Sequence, residues 1–324
     1  MSIAVAIVSA AHVHAPSFAA CLQASEIAVL GGVWDDDSAR GRAFAEKWGV
    51  PFVEDLDALL AQSEAAVICS ENLKHAEHIE ACRRHGLAVL CEKPIAGSQA
   101  QWDQIQAGAG QSTEMTAFPC PFSPTFQQLV AKVRAGDIGK VLAINATNQG
   151  SCPGGWFTNP ELSGGGAMID HVVHVADLMR RLLGEDPASV QAQTGSNIYG
   201  QTWDDTAMVT VSFPSGVFAT IDSSWSKPAS YRTWGNVKLT VVGEKGVIET
   251  DLFTQGLDLY TLDPARHGSL GTGSNLDQLM IDEFLASVTE KRSPKVTLND
   301  GLWASRVALA AYRSAGGGGA VVAV

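Results

Sequence analysis

From residue 3 to residue 118 the chain alternates short apolar runs with helical patterns, and few folds accommodate that rhythm. Ile3–Val8 is an uninterrupted apolar run of strand length, as expected of a strand buried on both faces of a parallel sheet. Further strands are expected at Ile27–Trp34, Ala65–Cys69, Leu87–Cys91 and Glu114–Phe118. Between them lie helical patterns at Pro16–Gln23, Ser38–Trp48, Asp55–Ala61, Lys74–His85 and Ser98–Gln106, several stopped by glycine. Strand and helix in strict alternation define a doubly wound α/β sheet.

Pro119, Pro121 and Pro124 mark a change of organisation. A helix is expected at Thr125–Ala135, a strand at Val141–Thr147, and a long helix from Ala167 to Leu183 after the Gly164–Gly166 run. Beyond Val190 the pattern becomes period two. Val209, Val211 and Phe213 alternate with polar residues, then Val217, Ala219 and Ile221 do the same across Pro214-Ser215-Gly216. A second hairpin is expected around Gly243–Gly246. Closing helices are expected at Asp277–Thr289 and Leu302–Ser314, with a last strand at Ala320–Val324. The reading is two domains: residues 1–118, an α/β Rossmann domain with a doubly wound parallel sheet, and residues 119–324, an α+β domain with an open, mostly antiparallel sheet. One face of that second sheet takes helices. The other is expected to be apolar enough to pair with another copy, giving a homodimer or homotetramer.

Composition removes several classes of function. With 34 acidic and 22 basic side chains the net charge is −12. Nucleic acid and anionic membranes are therefore poor partners, since both are bound through an excess of Lys and Arg. The apolar run at the start is shorter than the ~20 residues of a membrane span, and no basic segment precedes it as a secretory signal requires. Six scattered cysteines without C-x-x-C argue against a zinc ribbon or a disulfide framework, and for free thiols in a reducing cytoplasm.

In a Rossmann fold the first strand-to-helix turn carries glycines that let the backbone approach a pyrophosphate. Here the turn reads Ser9-Ala10-Ala11-His12-Val13-His14, with no G-x-G-x-x-G. Ser9, Ala11, His12 and Val13 are the residues expected beside the phosphates. The second strand ends in Asp35-Asp36-Asp37. Asp35 stands where an acid accepts bonds from the adenosine ribose and repels a 2′-phosphate, which favours NAD over NADP. The same acids also suit the N-terminus of the helix starting near Ser38.

Three later segments carry a family resemblance: Val67-Ile68-Cys69-Ser70-Glu71-Asn72-Leu73-Lys74-His75, Val89-Leu90-Cys91-Glu92-Lys93-Pro94, and Gly164-Gly165-Gly166-Ala167-Met168-Ile169-Asp170-His171-Val172-Val173-His174. In this order and spacing the chain resembles the Gfo/Idh/MocA oxidoreductases. The resemblance implies an NAD-dependent dehydrogenase acting on a hydroxyl of a sugar, polyol or related compound. It implies Lys93, Asp170 and His174 as catalytic residues. Ser70, Asn72, His75 and Glu92 would join Lys93 around the cofactor. Asp170 and His174, four apart, share one helix face. A histidine near neutral pKa serves as general base, and a lysine ammonium stabilises a developing alkoxide. His14, Trp156, Phe157 and His171 are the expected substrate contacts.

Two departures stand out: the missing glycine turn, and the lack of the arginine often found after the fifth strand, replaced by Pro119-Cys120-Pro121-Phe122. Histidine pairs at 12/14, 75/78 and 171/174 raise the question of a metal. With no H-E-x-x-H, and a nicotinamide reaction that needs none, no metal is expected. Two rival readings of the fold are a redox-neutral lyase or glycosidase that uses NAD, and a ligand-sensing regulator without catalysis.

Overall fold

The computed structural model describes residues 2–110, 112–231, 233–253, 256–262, 265–271 and 273–324. The first part of the chain runs β1 (Ile3–Val8), α1 (Ala15–Gln23), β2 (Ala28–Trp34), α2 (Ser38–Trp48), α3 (Leu56–Leu60), β3 (Ala65–Ile68), α4 (His75–Arg84), β4 (Ala88–Cys91), α5 (Gln99–Ala107) and β5 (Glu114–Thr116). It continues with α6 (Pro124–Ala135), β6 (Val141–Gly150), α7 (Pro160–Ser163), α8 (Ala167–Leu183), β7 (Ser189–Gly195), β8 (Thr206–Ser212), β9 (Phe218–Ser224), β10 (Gly235–Gly243) and β11 (Gly246–Asp251). A hairpin of β12 (Gly256–Leu262) and β13 (Ala265–Gly271), then α9 (Leu276–Glu290), α10 (Leu298–Gly316) and β14 (Val322–Ala323), complete it. No helix among the described residues is long and apolar enough to cross a membrane.

The chain divides into two compact units. The first break comes between Pro119 and Cys120, one residue from the 118/119 expected, but the division is not a single cut. Residues 155–165 and 276–306 return to the first unit, and α10 contributes its first half to one unit and its second half to the other. The physical reason for the return is burial. Leu298 and Leu302 of α10 pack among Leu59, Leu60, Ile79, Cys82 and Ile105 in one apolar cluster.

In the first unit a five-stranded sheet has the order β2-β1-β3-β4-β5, with every pair parallel. The strand order reverses between β1 and β3. Ligands of open α/β sheets bind outside the carboxyl ends of the strands at such a reversal. Ser9, Asp35, Cys69 and Glu92 each follow directly on one of these strand ends.

In the second unit seven strands lie in the order β11-β10-β6-β9-β8-β7-β14, antiparallel except for β6 against β9. Period two sorts the faces. One register row reads Val190–Val211–Ala219–Ile144–Val241–Ile248, and the row two residues along it reads Ala192–Val209–Ile221–Ala146–Leu239–Thr250. On this face α8 packs against β6, β8 and β9. The opposite face is more polar than the sequence led us to expect. Its central row is Gln191–Thr210–Thr220–Asn145–Thr240–Glu249. Apolar groups gather at one end, where Phe218, Ala143, Val242 and Val247 fall in one row; exposed Met208 lies on the far side of the polar row, opposite Asp222.

All six cysteines are free thiols; five are buried and Cys152 is part-exposed.

Candidate active site

In the first unit the turn after β1 is held by side chains where glycines are usual. Ser9 adopts φ 67°, a left-handed conformation that costs a non-glycine residue about 1–2 kcal/mol. Asp35, at the end of β2, holds that shape. Its carboxylate accepts from the Ala10 amide at 2.8 Å and the Ser9 hydroxyl at 3.4 Å. It also takes Arg40 in a two-pronged pair at 2.9 and 2.7 Å, and the Asp37 amide at 2.8 Å. The Asp35 carboxylate is thus fully enclosed and its oxygens are engaged within the protein. Asp37 caps α2 through the Ala39 and Arg40 amides. Asp36, the acid left part-exposed, pairs with Arg40 and Lys74.

The turn spends its amides internally as well. Ser9 N donates to Trp34 O, Ala11 N to Ser9 Oγ, His12 N to Cys69 O and His14 N to His12 Nδ1. His12 is buried, and Trp156 and Phe157 stand beside its ring at centroid distances of 5.8 and 5.3 Å. Those two aromatics stack at 3.8 Å, and the Trp156 indole donates to Ala11 O. Val13 is exposed.

Glu92, just past β4, is enclosed between the two histidines. Its Oε1 lies 3.3 Å from His12 Nδ1 and 2.9 Å from His14 Nδ1, while Oε2 accepts from the Lys93 amide. Burial alone would raise its pKa, yet His12, His14 and Lys93 hold it down to about 2. Glu92 in turn lifts His14 above the ordinary histidine value, against the opposing effect of burial. Lys93 is buried at the carboxyl end of the sheet.

The loop after β3 is more structural than the resemblance implies. His75 is fully buried, its Nδ1 2.8 Å from Pro94 O and its Nε2 3.2 Å from Ser70 O, so it ties the β3 and β4 loops together. Burial lowers its pKa. Ser70 is also enclosed, its hydroxyl on His78 Nδ1 at 2.9 Å. Burial, with His75 adding to it, takes His78 down to about 4. Asn72 donates from Nδ2 to Ser163 O at 2.8 Å, while its Oδ1 is buried without a hydrogen-bond partner.

In the second unit α8 carries Asp170 and His174 one turn apart, both nearly buried. Asp170 Oδ2 accepts from the Trp225 indole at 3.1 Å and lies 3.2 Å from His171 Nε2. His171, expected at the substrate, is wholly enclosed, with Trp234 edge-on to its ring at 5.2 Å. It therefore packs against Asp170, its two ring nitrogens making no hydrogen bond. Asp177 holds Arg181 at 2.8 Å. The helix start is fixed by Asp204, which accepts from the Gly166 and Met168 amides and from the Tyr312 hydroxyl.

The glycines before α8 admit the protein's own backbone. A Cβ on Gly166 would stand 1.9 Å from Asp204 O, and one on Gly164, at φ 81°, would stand 2.6 Å from Gly97 O. Arg40, Trp225 and Asp204 are site residues that sequence reasoning did not single out. No local pattern pairs Asp35, at the end of β2, with Arg40 on α2, and nothing local marks the other two.

A profile described as the oxidoreductase family with an NAD-binding Rossmann fold matches residues 3–117, and one for the GFO/IDH/MocA C-terminal domain matches residues 126–249. The chain belongs to the Gfo/Idh/MocA oxidoreductases. It is 27% identical over 307 residues to a myo-inositol 2-dehydrogenase of Thermotoga maritima, covering 89% of each chain. It is 28% identical over 319 residues to an inositol 2-dehydrogenase of Rhizobium meliloti, covering 93% of this chain and 92% of that one. Among solved structures, GenD2 from gentamicin A biosynthesis, in complex with NAD, superposes with a TM-score of 0.87 at 24% identity, over 100% of this chain and 96% of that one.

Proposed function

We propose that this chain is an NAD-dependent dehydrogenase that oxidises a secondary hydroxyl of a sugar, polyol or related compound, or reduces the corresponding ketone. The observation that carries the reading is the preorganised pair on α8. Asp170 is fixed by the Trp225 indole, with His171 beside it, and His174 follows it by one turn. The inositol dehydrogenases among the relatives support the substrate class.

The residues at the reversal point of the parallel sheet fit a dinucleotide. The buried, partnerless Oδ1 of Asn72 offers an acceptor for a ribose hydroxyl. Glu92 and Lys93 flank the end of β4, and the Ser9–Val13 turn, including Ala11 and His12, lies at the end of β1. When bound, NAD supplies the hydride acceptor. Lys93 presents a positive charge to the developing alkoxide, His174 takes the hydroxyl proton, and Asp170 orients that imidazole and stabilises its charged form. Ser70 and His75 act at one remove, shaping the loop that carries Asn72. His14, Trp156 and Phe157 complete the substrate side, with His171 acting through Asp170. NAD is preferred over NADP because Asp36, part-exposed at the end of β2, adds negative charge there, while Arg40 and Lys74 reduce that preference. The free, mostly buried thiols fit a cytoplasmic setting.

Lys93→Ala and His174→Ala variants are expected to lose about 10²–10⁴-fold in kcat while still binding NAD in calorimetric titration. Unchanged turnover would reject both roles. A net change in nicotinamide absorbance during turnover supports dehydrogenation; product without it points to redox-neutral elimination or glycoside cleavage. Turnover absent across a panel of sugars and polyols would favour a ligand sensor.

A further inference from the structure

The β1–α1 turn and the end of β4 bring three metal-binding side chains to one place. His12, His14 and Glu92 each offer a ligand atom, and all three atoms lie within 4.8 Å of one another. From these residues we infer a site for one divalent transition-metal ion of the zinc class, bound by the His12 and His14 imidazoles and the Glu92 carboxylate.

Four features carry the inference. The first is spacing. Ligands about 2.0–2.1 Å from a tetrahedral ion stand about 3.3–3.4 Å apart; His12 Nδ1 lies 3.3 Å from Glu92 Oε1, and His14 Nδ1, hydrogen-bonded to the same oxygen at 2.9 Å, has only to draw back slightly to admit an ion. The second is charge. Two ring nitrogens face one carboxylate oxygen, so either ring protons or a cation must lie between them. One divalent ion would serve all three groups at once and offset the buried carboxylate charge. Third, the ligands are held in place. Trp156 and Phe157 flank the His12 ring, and Glu92 Oε2 is fixed by the Lys93 amide. Such outer partners orient metal ligands and sustain affinity. Fourth, His14 is a third exposed while His12 and Glu92 are enclosed. The cluster therefore has one open side and three protein ligands, the pattern of a metal site that keeps a position for water or substrate. Two nitrogens and one oxygen suit zinc, cobalt or nickel, whereas magnesium prefers oxygen and retains its water.

The inference stands apart from the dehydrogenase reading, since it concerns the protein without dinucleotide or substrate. The full-length protein, stripped with a chelator, would be titrated with Zn²⁺ by calorimetry and with Co²⁺ by visible absorption. One ion per chain, a Kd below micromolar, the d–d bands of low-symmetry Co²⁺ and no competition from Mg²⁺ are expected. His14→Ala, at the open side, should weaken Zn²⁺ binding at least 100-fold without altering the circular dichroism spectrum. His12→Asn should do the same, and keeps a polar side chain of similar reach should His12→Ala fail to fold. Binding well below one ion per chain, equal competition by Mg²⁺, or unchanged affinity in folded His14→Ala protein would overturn the site and leave protons as the charge between these groups.

Discussion

Asp35 shows how a single side chain can be placed by sequence while its protein partners stay hidden. Its position at the end of β2 matches that of a ribose-binding acid, and nothing in the linear pattern indicates that Arg40 and the Ala10 amide claim the same oxygens. With no glycine in the turn, Ser9 occupies left-handed backbone, and Asp35 is what keeps it there. Asp35→Ala is expected to cost about 1–3 kcal/mol, because it leaves the part-exposed Arg40 guanidinium and the Ala10 amide without their acceptor. A fall in the urea midpoint at unchanged m-value would register the loss. Ser9→Gly should lie within about 1 kcal/mol of the parent, since relief of strain offsets the lost hydroxyl bonds. The family was legible because the segments that hold Lys93 and His174 are distinctive as runs of residues. The internal roles of His75 and His171 were not, because enclosure is decided by neighbours far along the chain.

Most elements followed from local chemistry. The helix Ser38–Trp48 runs between an aspartate N-cap and a left-handed Gly49, and its limits coincide with those expected. The last helix was expected from Leu302 but begins at Leu298, because Asp300 accepts from the Thr297 amide and hydroxyl and secures an extra turn. At α9 the C-terminal end is clamped by Glu283, which pairs with Arg292 and Lys295. Burial would raise the Glu283 pKa, but those two cations hold it at about 2 against an ordinary 4.5. A carboxylate depressed on folding contributes stability above its unfolded value, and the contribution disappears as pH falls through the folded one. Glu283→Gln should therefore melt a few degrees below the parent at pH 7, and the gap should shrink below pH 4.5 and close near pH 2. A gap that persists at pH 2 in thermal melts would contradict this account.

At the scale of the whole molecule, the two fold classes were readable from periodicity, since alternation of strand and helix and then period-two hairpins leave few alternatives. The division of the chain was not. Segments 155–165 and 276–306 return to the first unit through contacts such as Trp102 Nε1 to Leu302 O and Ala96 N to Ser305 Oγ, about two hundred residues apart, and no window of sequence holds such information. The expected pairing of copies through the second sheet rests on a smaller apolar area than the sequence implied. We expect light scattering to report a homodimer or homotetramer, and Phe218→Glu to shift it towards monomer. A parent protein that is monomeric at micromolar concentration would exclude that surface as an interface.

The distribution of sulfur has a practical corollary. Five thiols are walled off by packing, and burial pushes Cys82 up to about 12 and Cys69 and Cys91 well beyond the ordinary thiol range. Under native conditions a maleimide dye therefore has one addressable atom, the sulfur of Cys152, whose own titration feels the charge of Asp170. A fluorophore attached there becomes a built-in reporter of the surroundings of Asp170, with no need to engineer away the other cysteines.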